Sequence, residues 1–104
     1  MVKHLVMWRL QESRRAAQIA TSLPLKTIID GLRAHIAGLH ELEIELSRCG
    51  GDDAVDLVLY SVFDSWDALR TYEAHPLHDD LKALIRPLRA ERRVADYETP
   101  DRRP

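Results

Sequence analysis

The chain has a single cysteine, Cys49, beside Gly50-Gly51, so no internal disulfide framework holds it together. It lacks an excess of one charge. Acidic residues number 17 and basic residues 15, which excludes a global positive field for nucleic acid. The Arg14-Arg15 and Arg92-Arg93 pairs form no stripe interleaved with aromatic rings, the arrangement that single-stranded nucleic acid needs. No apolar run approaches the roughly 20 residues that span a bilayer. The opening Met1-Val2-Lys3-His4-Leu5 lacks the long apolar core of a signal peptide. No repeat, low-complexity tract or interdomain linker is present. Together these absences predict one cytoplasmic domain over residues 1–98 and a polar tail over 99–104, with no nucleic-acid or membrane partner.

What is present is concentrated in Tyr72-Glu73-Ala74-His75-Pro76-Leu77-His78. Proline disfavours the helical region for the residue before it, so a helix carrying Tyr72 should end near His75. Pro76 suits the first position of a second helix. His78 then falls in that helix's first turn, where the dipole opposes protonation of an imidazole. A neutral histidine near a tyrosine suits general acid–base work. The same residues also suit a simpler purpose, capping helix ends and packing a junction, and both readings stand at this point.

The flanking pattern supplies a fold. Val2 to Leu10 reads as a strand, with Val2, His4, Val6, Trp8 and Leu10 on one face and Lys3, Leu5, Met7 and Arg9 on the other. Large apolar groups on both faces predict that both are at least partly covered. Ser13 is a reasonable cap for a helix over Arg14 to Ala20. The main helix follows Ser22-Leu23-Pro24, with Leu25, Ile28, Ile29, Leu32 and Ile36 as its apolar stripe and Gly38 past its end. Leu39 to Ser47 alternates as a half-buried strand, and Gly50 to Asp53 is a turn. Val55 to Phe63 completes a hairpin. Asp64 is a cap for the next helix, on which Trp66, Leu69 and Tyr72 share a face. A second helix after Pro76 carries Leu77, Leu81, Leu84, Ile85 and Leu88, and Pro87 limits it. Glu91 to Glu98 is a short last strand. This order predicts an α+β, ferredoxin-like split β-α-β protomer with a four-stranded antiparallel sheet. Helices cover one face of such a sheet, and a two-fold homodimer covers the other.

Val2-Lys3-His4-Leu5-Val6, Phe63-Asp64-Ser65, Tyr72…His75-Pro76-Leu77-His78 and Asp96-Tyr97-Glu98 together resemble the stress-responsive dimeric α/β-barrel family over residues 2–98. The resemblance implies a homodimer whose two sheets close a barrel. Members include plant stress proteins and a plant polyketide cyclase. In cyclase-type members a tyrosine and a histidine work in a pocket between sheet and helices, roles that map onto Tyr72 and His78. A further pocket histidine maps onto His4. Another pocket histidine of those members is replaced here by Leu57, which implies a less polar pocket.

Tyr72 and His78 are therefore the candidate catalytic pair, a proton donor and a base at neutral pH. His4, Val6, Trp8, Leu57, Leu59 and Val94 are the candidate substrate-binding residues of a small apolar pocket. The expected ligand is an apolar or aromatic carbonyl compound, and the expected chemistry is cofactor-free proton transfer of a cyclase or isomerase type. The alternative is a non-catalytic stress-associated or structural dimer. Trp8 serves equally as core filling, and Arg92 is expected to snorkel to the rim. His75 and His78 have the spacing of a metal pair, but only Asp79, Asp80 and Asp56 offer further ligands and zinc needs three or four. No metal is expected, and with no residue marking a haem ligand, no cofactor.

Overall fold

Residues 1–100 are described by the computed structural model, so residues 101–104 of the expected polar tail lie outside the described residues. Strand β1 (Val2–Leu10) is followed by a 3₁₀ turn over Ser13–Arg15 and a short helix α1 (Ala16–Ala20). Ser13 does not cap that helix. Its hydroxyl donates to Asp56 Oδ2 at 3.2 Å instead, and the Asp56 carboxylate also accepts from the Leu10 amide at 2.7 Å. Helix α2 (Leu23–His35) starts where Ser22 Oγ accepts from the Leu25 amide, with a proline in its first turn where no amide is missed. Its buried stripe is Leu25, Ile28, Ile29 and Leu32. Gly38 then turns the chain with φ of 82°. A side chain there would also meet Ala68 Cβ at 2.9 Å, so the position requires glycine on two counts.

Strands β2 (Leu39–Leu46) and β3 (Leu57–Phe63) form the expected hairpin, with Leu42, Ile44 and Leu46 opposite Ser61, Leu59 and Leu57. Helix α3 (Trp66–Ala74) is capped by Ser65, whose hydroxyl accepts from Ala68 N at 3.1 Å, and not by Asp64. Asp64 is taken up by the imidazole of His40. Trp66 leaves the α3 core face and is 38% exposed, its indole N–H donating to Glu98. Helix α4 (Pro76–Ile85) and a 3₁₀ turn over Arg86–Leu88 lead into β4 (Arg89–Glu98).

The last strand is longer than its apolar pattern predicts. Arg89 and Ala90, before the expected start at Glu91, carry no strand signal, but β1 runs far enough to extend the pairing, with Leu10 opposite Arg89. The backbone ladder rather than side-chain pattern extends the strand. Thr99 continues the pairing through hydrogen bonds in both directions with Met1, at 2.8 and 2.9 Å.

The sheet order is β2-β3-β1-β4, every neighbouring pair antiparallel, which is the α+β ferredoxin-like topology. All four helices lie on one face. The core under them joins Val2, Val6, Trp8 and Leu10 of β1 to Leu57, Leu59 and Phe63 of β3 and to the inner faces of α2, α3 and α4. On the other face Leu5, Met7, Val58 and Tyr60 are only half-buried, and Tyr97 is 44% exposed. Among the described residues no helix is long and apolar enough to cross a membrane.

Candidate functional site

The α3–α4 junction sets the site. Pro76 holds His75 in an extended conformation (φ −70°, ψ 141°), ending α3. The His75 Nδ1 then accepts from the Leu77 amide at 3.0 Å, and its carbonyl accepts from the His78 amide at 2.9 Å. His75 is thus the cap of α4, as its place in the sequence allows. Tyr72 in the last turn of α3 and His78 in the first turn of α4 are brought ring to ring, their centroids 4.9 Å apart. Phe63 on β3 packs against Tyr72 at 5.2 Å and fixes its ring from below.

His4 enters from β1, its ring 5.9 Å from that of Tyr72. Its position on the helix-facing side follows from strand alternation, since Val2, His4, Val6 and Trp8 are all buried. Asp96 lies directly opposite on β4, and its carboxylate meets the His4 Nδ1. A carboxylate only accepts, so Nδ1 carries the proton, and in the neutral ring Nε2 is left with a free lone pair.

Tyr72, His4 and His78 are 0%, 1% and 8% exposed, and one polar atom of each has no hydrogen-bond partner: the Tyr72 hydroxyl, His4 Nε2 and His78 Nδ1. Buried polar groups are nearly always paired, and leaving one unpaired costs about 1–3 kcal/mol. These are the three such side-chain atoms among the described residues, and all belong to one pocket. Its apolar walls are Val6, Trp8, Leu59, Leu81 and Ile85, and its remaining lining is cationic: Lys82, Arg86, Arg89 and Arg92. The enclosed volume is about 20 Å³, room for one water-sized group.

The electrostatics follow from burial. Desolvation, reinforced by Lys82, His4 and Arg92 and opposed by Asp79, pushes His78 down from 6.5 to about 4. The neutral imidazole expected from the helix dipole is present, with burial as its main cause. Desolvation also raises Tyr72 well above the ordinary phenol value, helped by Glu73 and opposed by Arg92. At neutral pH the site therefore presents a protonated phenol beside the neutral imidazole of His78.

Of the residues singled out from sequence, His4, Val6, Trp8, Leu59, Tyr72 and His78 meet around this pocket. Leu57 and Val94 do not line it. Leu57 is fully buried in the core opposite Trp8, and Val94, on the helix-facing side of an edge strand, is 43% exposed. Sequence reasoning missed Lys82, Arg86 and Arg89 in the lining, and the pairing of Asp96, whose partner is 92 residues away. It also missed a cluster in which His4, Glu73 and Asp96 each bring one ligand atom within 4.8 Å of the others. Of the two histidines at that spacing, His75 and His78, the structure gives His75 Nδ1 to the α4 cap. In the His4 cluster, the Asp96 carboxylate already orients the imidazole.

Residues 2–99 match the family described as the stress responsive A/B barrel domain. No curated protein matches the chain. Among solved structures, a dimeric protein of unknown function with a ferredoxin-like fold from Bacteroides fragilis is similar at 26% identity and a TM-score of 0.77, covering 94% of this chain and 95% of that one. A dimeric ferredoxin-like protein from Jannaschia is similar at 24% identity and a TM-score of 0.72, covering 94% and 98%. An antibiotic biosynthesis monooxygenase shares the fold at 14% identity and a TM-score of 0.74, covering 97% and 100%.

Proposed function

Because this chain belongs to the stress responsive A/B barrel domain family, we propose that it is a homodimer in which each protomer binds a small carbonyl compound between Tyr72, His78 and His4 and moves a proton on it without a cofactor. The observation that carries this reading is the convergence of three buried, unpartnered polar atoms in one pocket. A fold tolerates such a cost where a ligand repays it. A carbonyl oxygen accepts from the Tyr72 hydroxyl, which burial keeps protonated. The carbon beside it gives its proton to His78 Nδ1: the C–H bond breaks, an N–H bond forms, and the electron pair moves onto the oxygen held by Tyr72. Return of that proton from His78 to another atom completes an isomerisation, and attack of the enolate carbon on a second carbonyl, whose oxygen takes the proton from His78, completes a cyclisation. His4, oriented by Asp96, offers a second acceptor through Nε2.

The dimer follows from the half-buried Leu5, Met7, Val58 and Tyr60 on the sheet face that no helix covers, together with the dimeric description of the Bacteroides fragilis protein. The likeness to the monooxygenase carries the fold and no reaction. A second reading, a stress-associated dimer without catalysis, draws on the small enclosed volume of about 20 Å³. The two readings separate when 2-pentanone is titrated into the protein and the imidazole nitrogens of His4 and His78 are followed by NMR. A bound carbonyl moves both sets of resonances together. Unmoved resonances at ketone saturation favour the structural dimer.

A further inference from the structure

Arg86 follows α4, Arg89 opens β4, and Arg92 lies opposite Trp8 on the helix-facing side of the same strand. These three side chains line both the buried pocket and an open groove of about 630 Å³ beside it. Among the described residues none of the three pairs with a carboxylate. The one acid of the groove, Glu91, is engaged by Arg9 at 3.7 Å and Arg93 at 3.5 Å. Like charges gathered in one place repel unless an anion sits among them. The chain carries a net charge of −2, so this cluster runs against its general surface. The enclosed end admits only one small group, so the body of any ligand lies in the groove.

We infer that the ligand is an oxyanion-bearing ketone, its carbonyl at the His4–Tyr72–His78 end and its carboxylate or phosphate held in the adjoining groove by Arg86, Arg89 and Arg92. This rests on the reading of that end as a carbonyl site. Guanidinium groups match planar oxyanions with paired N–H donors, and both carboxylate and phosphate satisfy that geometry. The arrangement also assists the chemistry. Lys82 and Arg92 are among the charges that oppose protonation of His78, so an anion placed beside them eases the arrival of a proton there.

Calorimetry with four probes tests the assignment: 4-oxopentanoate, its methyl ester, pentanoate and 3-oxobutyl phosphate. At least one of the two oxo anions binds roughly tenfold or more tighter than the ester. The tighter of the two tells carboxylate from phosphate. Arg89→Gln with Arg92→Gln brings the anion down to the affinity of the ester, whereas Arg70→Gln, an exposed change on α3, leaves it unmoved. If the double variant does not fold, added salt serves in the native protein, weakening the anion and sparing the ester. Equal affinity for ester and both anions, or an anion affinity indifferent to both the folded double variant and salt, overturns the inference and leaves the carbonyl site standing. Pentanoate isolates the other claim. Binding as tight as that of 4-oxopentanoate supports the arginine groove and removes the carbonyl reading.

Discussion

Asp96 faces His4 across the β1–β4 ladder, and its carboxylate holds the imidazole Nδ1 so that Nε2 is aimed at the pocket. The pairing predicts a ring protonated at Nδ1, visible in the nitrogen shifts of His4. Asp96→Asn removes the charge from the acceptor and should cost about 1–2 kcal/mol of stability, measured by urea unfolding. It should also admit the other tautomer. A native ring protonated at Nε2 would remove the orienting role of Asp96.

Tyr72→Phe deletes a buried hydroxyl that has no partner. Because that hydroxyl costs the folded state rather than supporting it, the variant should be as stable as the native protein or gain about 1 kcal/mol. Ligand binding or turnover should fall at the same time. Thermal unfolding of the two proteins checks the first half. A clear loss of stability would mean that the hydroxyl is paired in solution.

His78 gives a pH dependence of definite sign. Above pH 6.5 both folded and unfolded chains hold it neutral. Between 6.5 and about 4 only the unfolded chain takes the proton, so stability falls as pH falls through that window and levels off below it. The loss is on the order of 2–3 kcal/mol. Urea unfolding at pH 7 and pH 4.5 should show it, and His78→Leu should remove that share of the slope. An equal slope in the variant would place His78 in contact with water.

Met7 sits on the uncovered sheet face, opposite Val58 on one side and Arg93 on the other. A charge there opposes burial against a second sheet. The native chain of 12.0 kDa should sediment at twice its mass at micromolar concentration, and Met7→Glu should shift it toward the monomer. A native monomer would contradict the homodimer.

Much of this was legible in the sequence, for local reasons. The alternation of β1 placed His4, Val6 and Trp8 on one face, and Pro76 fixed the junction that joins Tyr72 to His78. What escaped depends on distant pairing. The start of β4 has no apolar pattern and exists because β1 reaches it. Asp96 reads as a surface acid until the ladder sets it against His4. Arg86, Arg89 and Arg92 are spread over a turn and a strand, and only the closing of α4 onto the sheet makes them one cluster. Val94 lies opposite Val6 on the helix-facing side, but alternation alone does not reveal its exposure on an edge strand. Asp64 and Ser65 are both good caps by residue type, and the choice was made by His40, which claims Asp64.

Hydrogen–deuterium exchange at the carbons flanking a ketone tests the central claim most directly, because it reads proton transfer without the natural substrate. In D₂O at neutral pH, the native protein should speed deuterium uptake by 4-oxopentanoate or its methyl ester above the buffer rate, as followed by proton NMR. His78→Ala should lower the catalysed rate by about 10²–10⁴, and Tyr72→Phe should lower it as well, with both variants folded. Exchange at the buffer rate with both probes, or full catalysis in both variants, would contradict the assignment of Tyr72 and His78 as donor and base.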